Sequence, residues 1–200
     1  MIYYEFMNKL NLFINWFDSP VRPQEFDYCL KKNLQVFDRV INLNGRPDFN
    51  EFFGTAGRFA DDINVVANLD IYFDESIKLA KWITDDEVYC LTRWEDDGVG
   101  NIISFGQKHY GHPGEWSQDA WIFTGVKIQK VNAEFGMGRR GCDNHLAYLF
   151  AHAGLNISNP SLDIKAIHMH TIDPTASMGR DKRVGDGQYL KVEIGKLKMT

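Results

Sequence analysis

The feature that most constrains the fold is an alternation in the first half of the chain. Short apolar runs are each followed by a turn and a stretch of helical spacing. Leu10 to Phe17 predicts a first buried strand, and Asp18-Ser-Pro-Val-Arg-Pro-Gln a turn whose prolines suit a helix entry. Phe26, Leu30, Leu34 and Phe37 then recur at helical intervals. Arg39 to Arg46 predicts a second strand ending in a polar turn. Phe52, Phe53, Ala56 and Phe59 predict a helix weakened by Gly54 and Gly57. Ile63-Asn-Val-Val-Ala67 is a third strand ending at Asn68, with a helix expected over Glu75 to Trp82. Such a βαβαβα start predicts an α/β fold with a mostly parallel sheet and ligands at the carboxyl ends of its strands.

One of those ends carries Asn68-Leu-Asp70-Ile-Tyr-Phe-Asp74. On an extended chain Asn68 and Asp70 share a side. A carboxylate where a strand gives way to a helix is well placed to hold a hard divalent cation, and that cation can grip a diphosphate. Asp74 reads instead as a helix cap.

The second half changes character. Val88 to Trp94 predicts a strand that opens into a long polar stretch, Glu95 to Gln118, with Trp94, Tyr110 and Trp116 interspersed. Asn101 to Phe105 predicts a short strand within it. An excursion of that length is usually functional or mobile, and its rings suit the apolar faces of sugars or bases. Ala120 to Thr124 returns to strand. Gly141-Cys-Asp143-Asn144 opens a helix with Leu146, Leu149, Phe150 and Ala153 on one face, ended by Gly154. Asp143 is expected as its N-cap, a role compatible with that of a catalytic base. His145 and His152 read as surface or packing residues. In Ile164-Lys-Ala-Ile-His168-Met-His170 the two histidines project to one face at the strand period, roughly 7 Å apart, a pattern suited to metal or phosphate. A last strand is expected over Tyr189 to Ile194.

At 200 residues, 44% hydrophobic and 24% charged, the chain has the size and composition of one globular domain. A net charge of −5 argues against a strong non-specific grip on nucleic acid. Cys29, Cys90 and Cys142 have no metal-type spacing and suit reduced thiols of a cytoplasmic protein. The first residues lack an apolar core of the length a signal peptide or membrane anchor needs.

Taken in order, these motifs resemble those of nucleotide-sugar glycosyltransferases of the GT-A fold. Asn68-Leu-Asp70 resembles a variant of the family's Asp-x-Asp motif, with Asn in place of the first acid. Gly141-Cys-Asp143-Asn144-His-Leu-Ala resembles the acidic helix start that supplies the base in inverting members. Gly154-Leu-Asn-Ile matches the glycine turn after that helix, and His168 or His170 resembles the late histidine that often completes the metal site. The resemblance implies a single domain over residues 1–200. About 1–94 would bind the nucleotide sugar, and about 95–200 would form a mixed acceptor and catalytic half. It implies a metal-dependent transfer of sugar from a nucleoside-diphosphate donor, UDP-sugars favoured, to a hydroxyl acceptor such as a glycan, a protein or a modified nucleobase. Asp70 with His170 or His168 would hold Mn²⁺ or Mg²⁺, and Asp143, or else Asp119, would take the acceptor proton. Donor contacts are expected from Asn15, Trp16, Asn44, Arg46, Arg58 and Asn68. Arg180 and Arg183 are expected in a basic loop over the diphosphate. Arg93, Trp94, Tyr110 and Trp116 are expected to meet the acceptor. Two other classes suit some of the same residues: a metal-dependent hydrolase using the His-x-His and aspartates, and a non-catalytic carbohydrate-binding domain.

Overall fold

The computed structural model describes residues 8–17, 22–108, 114–169 and 183–198. The alternation of the first half is realised as β1 (Leu10–Ile14), α1 (Pro23–Val36), β2 (Arg39–Asn42), α2 (Phe49–Ala56) and β3 (Ile63–Ala67). Pro23 opens α1, where its missing N–H costs nothing. Asp48 and Glu51 cap α2 reciprocally, each side chain accepting from the other's backbone N–H. A short 3₁₀ turn, Gly57–Phe59, extends α2 toward β3. After β3 the chain does not run straight on as expected. Ile71 N–H bonds Asn68 O at 3.1 Å, so Asn68 to Ile71 is a tight turn. A short strand that the periodicity does not reveal, β4 (Ile71–Phe73), follows it. Asp74 then caps the segment Glu75–Trp82 by accepting from Ser76 N–H at 2.9 Å, but the segment is a 3₁₀ helix.

The run expected as one strand from Val88 to Trp94 is two: β5 (Glu87–Leu91) and β6 (Arg93–Asp96), which lie in different sheets. Thr92 makes the switch, its hydroxyl donating to Gly114 O at 2.7 Å and its N–H to Asn159 Oδ1 at 3.2 Å. The remaining elements are β7 (Ile102–Ser104), α3 (Phe105–Lys108), β8 (Ala120–Phe123), α4 (Cys142–His152), β9 (Asn156–Ser158) and β10 (Ala166–Met169). Over Tyr189 to Ile194 the structure has only a single bridge, from Ile194 to Asn159, in place of the expected strand.

The protein is α/β with two mixed sheets. The larger runs β2-β1-β3-β8-β5-β9 and the smaller β4-β10-β6-β7. In the larger, β2, β1 and β3 are mutually parallel, β8 is antiparallel to both β3 and β5, and β9 is parallel to β5. Five of its six strands therefore share one direction. All five residues of β3 are buried, because the sheet carries a core on each face. Phe13 and Val66 pack with Phe49, Phe53, Trp121 and Phe150 on one side; Leu12, Val65 and Ala67 pack with Phe73, Ile77 and Ile122 on the other. No helix among the described residues is long and apolar enough to cross a membrane.

This topology fixes what meets at the carboxyl edge of the sheet. β1 and β3 end there, at Asn15 and Asn68. β5 also ends there and hands Arg93 to β6. β8 runs the other way, so Asp119 begins it at the same edge. α4 must return to the opposite edge to feed β9, so its first turn lies at the carboxyl edge too. α4 starts earlier than expected: Gly141, in the left-handed region at φ 78°, is its N-cap, and Asp143 sits inside the first turn.

Candidate functional site

A cleft of about 400 Å³ opens at this edge. Asn15, Asn68, Asp70, Arg93, Asp119 and His168 line it, with apolar surface from Phe17, Phe26, Leu69 and Met137. Six of the residues singled out from sequence are thus brought together, drawn from both halves of the chain. Arg22, which precedes the proline that opens α1, is a seventh polar wall residue that sequence reasoning passes over.

The polar groups form one continuous chain of contacts. Asp70 Oδ2 accepts from Arg22 at 2.9 Å and lies 3.1 Å from His168 Nε2. His168 Nδ1 lies 3.1 Å from Glu95 Oε2, and Glu95 Oε1 accepts from Arg93 Nε at 2.6 Å. Arg93 reaches Asp119 Oδ2 at 3.0 Å, and Asn68 donates to Asp119 Oδ1 at 3.1 Å. Arg22 is itself steadied by Glu25 and by the carbonyl of Met169 at 3.2 Å. Burial opposes the ionised form of Asp70, yet the His168 and Arg22 bonds outweigh it and hold its pKa down to about 2. For His168 burial pulls the pKa down, but the bonds to Asp70 and Glu95 prevail and lift it to about 9. Glu95 is held well below the usual carboxylate range despite burial, by His168 and Arg93.

The signal for these partners is faint but physical. Arg93 and Glu95 alternate along β6, and β10 pairs with β6 so that His168 stands opposite Glu95. The spacing is legible in the sequence; the pairing of the strands is not.

Asp143 stands beside the cleft and does not line it. Its Oδ2 accepts a long bond, 3.4 Å, from the N–H of Gln118, the neighbour of Asp119. Burial, and after it the charge of Asp119, raise the Asp143 pKa to about 6, close to the value a base working near neutrality requires. Both oxygens of Asp119 are engaged, by Arg93 and Asn68.

The other expected contacts lie elsewhere. Asn15 lines the cleft, but its amide donates to Leu43 O and Gly45 O, tying β1 to the end of β2. Trp16 packs edge-on to Phe26 and does not line the cleft. Asn44 and Arg46 are exposed at the end of β2. Arg58 belongs to the 3₁₀ turn leading into β3, at the opposite edge of the sheet, because helix-to-strand connections of a parallel unit lie there. Trp94 occupies the other face of β6 from Arg93, with its indole N–H on Ser161 O at 2.8 Å. Trp116 is exposed outside the cleft. Arg183 lies over the Tyr189 ring, 4.3 Å from its centroid, close to Gly141. Tyr110, His170 and Arg180 fall outside the described residues.

Among the described residues no three His, Cys, Asp or Glu side chains are grouped to hold a metal ion. As placed, both ring nitrogens of His168 face carboxylates, which leaves no lone pair for a cation. Asp70 is different: Oδ2 takes both cationic partners, and Oδ1 has none among the described residues. Mg²⁺ and Mn²⁺ sites for nucleotides use one or two carboxylates together with the substrate's phosphates, so one carboxylate in the cleft wall fits that donor set. Comparison with protein-family models and with curated proteins finds no match for this chain.

Proposed function

We propose that the protein is a glycosyltransferase acting on a nucleoside-diphosphate sugar, with a GT-A-like arrangement of its sheet. The observation that carries this reading is the position of Asp70. It sits on the first turn after β3, at the carboxyl edge of three parallel strands, in the wall of the cleft, with one oxygen anchored by Arg22 and His168. In an open α/β sheet nucleotides bind outside the carboxyl ends of the strands where the strand order reverses, here between β1, which leads to β2 on one side, and β3 on the other.

The chemistry follows from the residues. Arg22 and Arg93 place guanidinium groups in the cleft wall, each already paired with two carboxylates, where charge would build on the departing diphosphate. Their guanidinium groups are held by carboxylates, so little reorganisation is needed as the reaction proceeds. Asp70 would hold Mn²⁺ or Mg²⁺, which adds charge stabilisation to the leaving group. Asp143 would take the proton of an attacking hydroxyl that reaches it from the cleft's border beside Gln118, the role its raised pKa suits. Burial raises that pKa first, and Asp119, fixed by Arg93 and Asn68, adds to it through its own charge. Phe17, Phe26, Leu69 and Met137 give the cleft an apolar wall beside these charges.

The test is calorimetric titration with nucleoside diphosphates, with and without Mn²⁺, followed by assay of donor turnover with and without acceptors. Metal-dependent binding of a diphosphate and acceptor-dependent release of it are expected. Release of free sugar or phosphate at full rate without acceptor would transfer the reading to a hydrolase. Absence of diphosphate binding would sink it.

A further inference from the structure

Glu95 does not line the cleft, yet it stands directly behind two groups that do. It is 1% exposed. Its Oε2 meets His168 Nδ1 at 3.1 Å and its Oε1 accepts from Arg93 Nε at 2.6 Å. The far sides of these same two groups face Asp70 at 3.1 Å and Asp119 at 3.0 Å. Strand geometry explains the convergence: Arg93 and Glu95 share a face of β6, and the parallel register sets His168 beside Glu95.

We propose that Glu95 is the positioning residue of the cleft. It fixes the ring of His168 and the fork of Arg93 from behind, and so aims Asp70 and Asp119 as one coupled unit. An imidazole and a guanidinium are planar, and a charge-assisted bond on the rear edge of each determines where its front edge points. Stability alone is a poor reason for this arrangement, since a buried cluster of charges is commonly matched or bettered by apolar packing. Precise orientation of groups around a ligand is a reason that apolar packing cannot meet. The expected effect on ligand binding rests on the glycosyltransferase reading; the coupling of the two groups through Glu95 does not.

Glu95→Gln tests the idea, because an amide keeps the size but offers one acceptor and one donor, and so cannot accept from both partners. In the free protein, the Arg93 Nε–H and His168 ring nitrogens are followed by ¹⁵N NMR, assigned with Arg93→Lys and His168→Asn. Both sets of resonances are expected to move in Glu95→Gln while the core resonances stay in place. Arg93→Lys, which leaves Glu95 intact, is expected to shift the His168 ring signals through it. That second variant decides the matter even where Glu95→Gln does not fold. The affinity for UDP with Mn²⁺ is expected to fall about 10–100-fold in Glu95→Gln, the usual scale for an outer partner of a binding group. His168 signals indifferent to Arg93→Lys, or wild-type affinity in a folded Glu95→Gln, would overturn the proposal. A wild-type protein that binds no UDP with Mn²⁺ would remove the proposed function, and the resonances would still decide whether Glu95 couples the two walls.

Discussion

Replacing Asp143 by Asn should make the protein more stable and far less active, and the size of the first effect follows from the site. The Asp143 carboxyl is raised from 3.8 to about 6, first by burial and then by the charge of Asp119. A shift of about two units corresponds to ~3 kcal/mol of differential cost for the ionised form. Below pH 3.8 the group is protonated in both folded and unfolded chains, and its contribution is fully retained. Between 3.8 and about 6 the unfolded chain gives up its proton while the folded one keeps it, so stability falls as pH rises. Above about 6 the whole penalty is in force. The asparagine side chain cannot ionise and escapes it. Urea denaturation at pH 8 should therefore find Asp143→Asn more stable by about 2–3 kcal/mol, or roughly 5–10 °C in melting temperature for a chain of this size. The difference between the two proteins should shrink toward zero near pH 4, and because it is a difference, other titrating groups largely cancel. Turnover should fall by two to four orders of magnitude, the range of general-base catalysis, while donor binding persists. A stability difference that is flat with pH would refute the environment assigned to Asp143. An active Asp143→Asn protein beside an inactive Asp119→Asn protein would move the base to Asp119.

Asp70→Asn should abolish metal-dependent diphosphate binding in calorimetry. It should also cost roughly 2–3 kcal/mol in urea denaturation at pH 7, because it leaves Arg22 and His168 facing a neutral group. Since the Asp70 pKa is lowered to about 2, that stability is present above pH 3.8 and is lost as pH falls toward 2, so the mutant and wild type should converge in acid. Asn33→Leu should cost about 1–3 kcal/mol in the same denaturation assay, because the buried Asn33 amide bonds both Ile71 O and Phe73 N–H. It should weaken diphosphate binding as well, by loosening the turn that carries Asp70. Gly141→Ala should cost about 1–2 kcal/mol, since φ is +78° there and a Cβ would meet Arg183 Nε at 2.7 Å; a neutral outcome would mean that the helix entry is free to rearrange.

Local chemistry was sufficient to read the first half of the fold. Hydrophobic period and the proline at the start of α1 are short-range properties, and β1, α1, β2, α2 and β3 follow from them with shifts of boundary. The same holds for Asp74 as a cap and for α4 between two glycines at positive φ. Because strands joined through a helix run parallel, the sequence also implied that Asn15 and Asn68 would share an edge. Tertiary structure decided the rest. Nothing local distinguishes β5 from β6, since the break at Thr92 depends on bonds to Gly114 and Asn159, the latter 67 residues away. The short strand β4 exists because β10 pairs with it, so no periodicity of its own reveals it. Trp94 and Arg93 were both read as acceptor contacts, yet adjacent residues of a strand face opposite ways, and only the packing of β6 decided which one met the cleft. Asp70, Arg93, Asp119 and His168 carry chemistry that composition and motif make legible one by one. Their charges are set by each other across as many as 98 residues of sequence, and a pairwise electrostatic contact is a property of distance in space, which the order of residues along the chain does not contain.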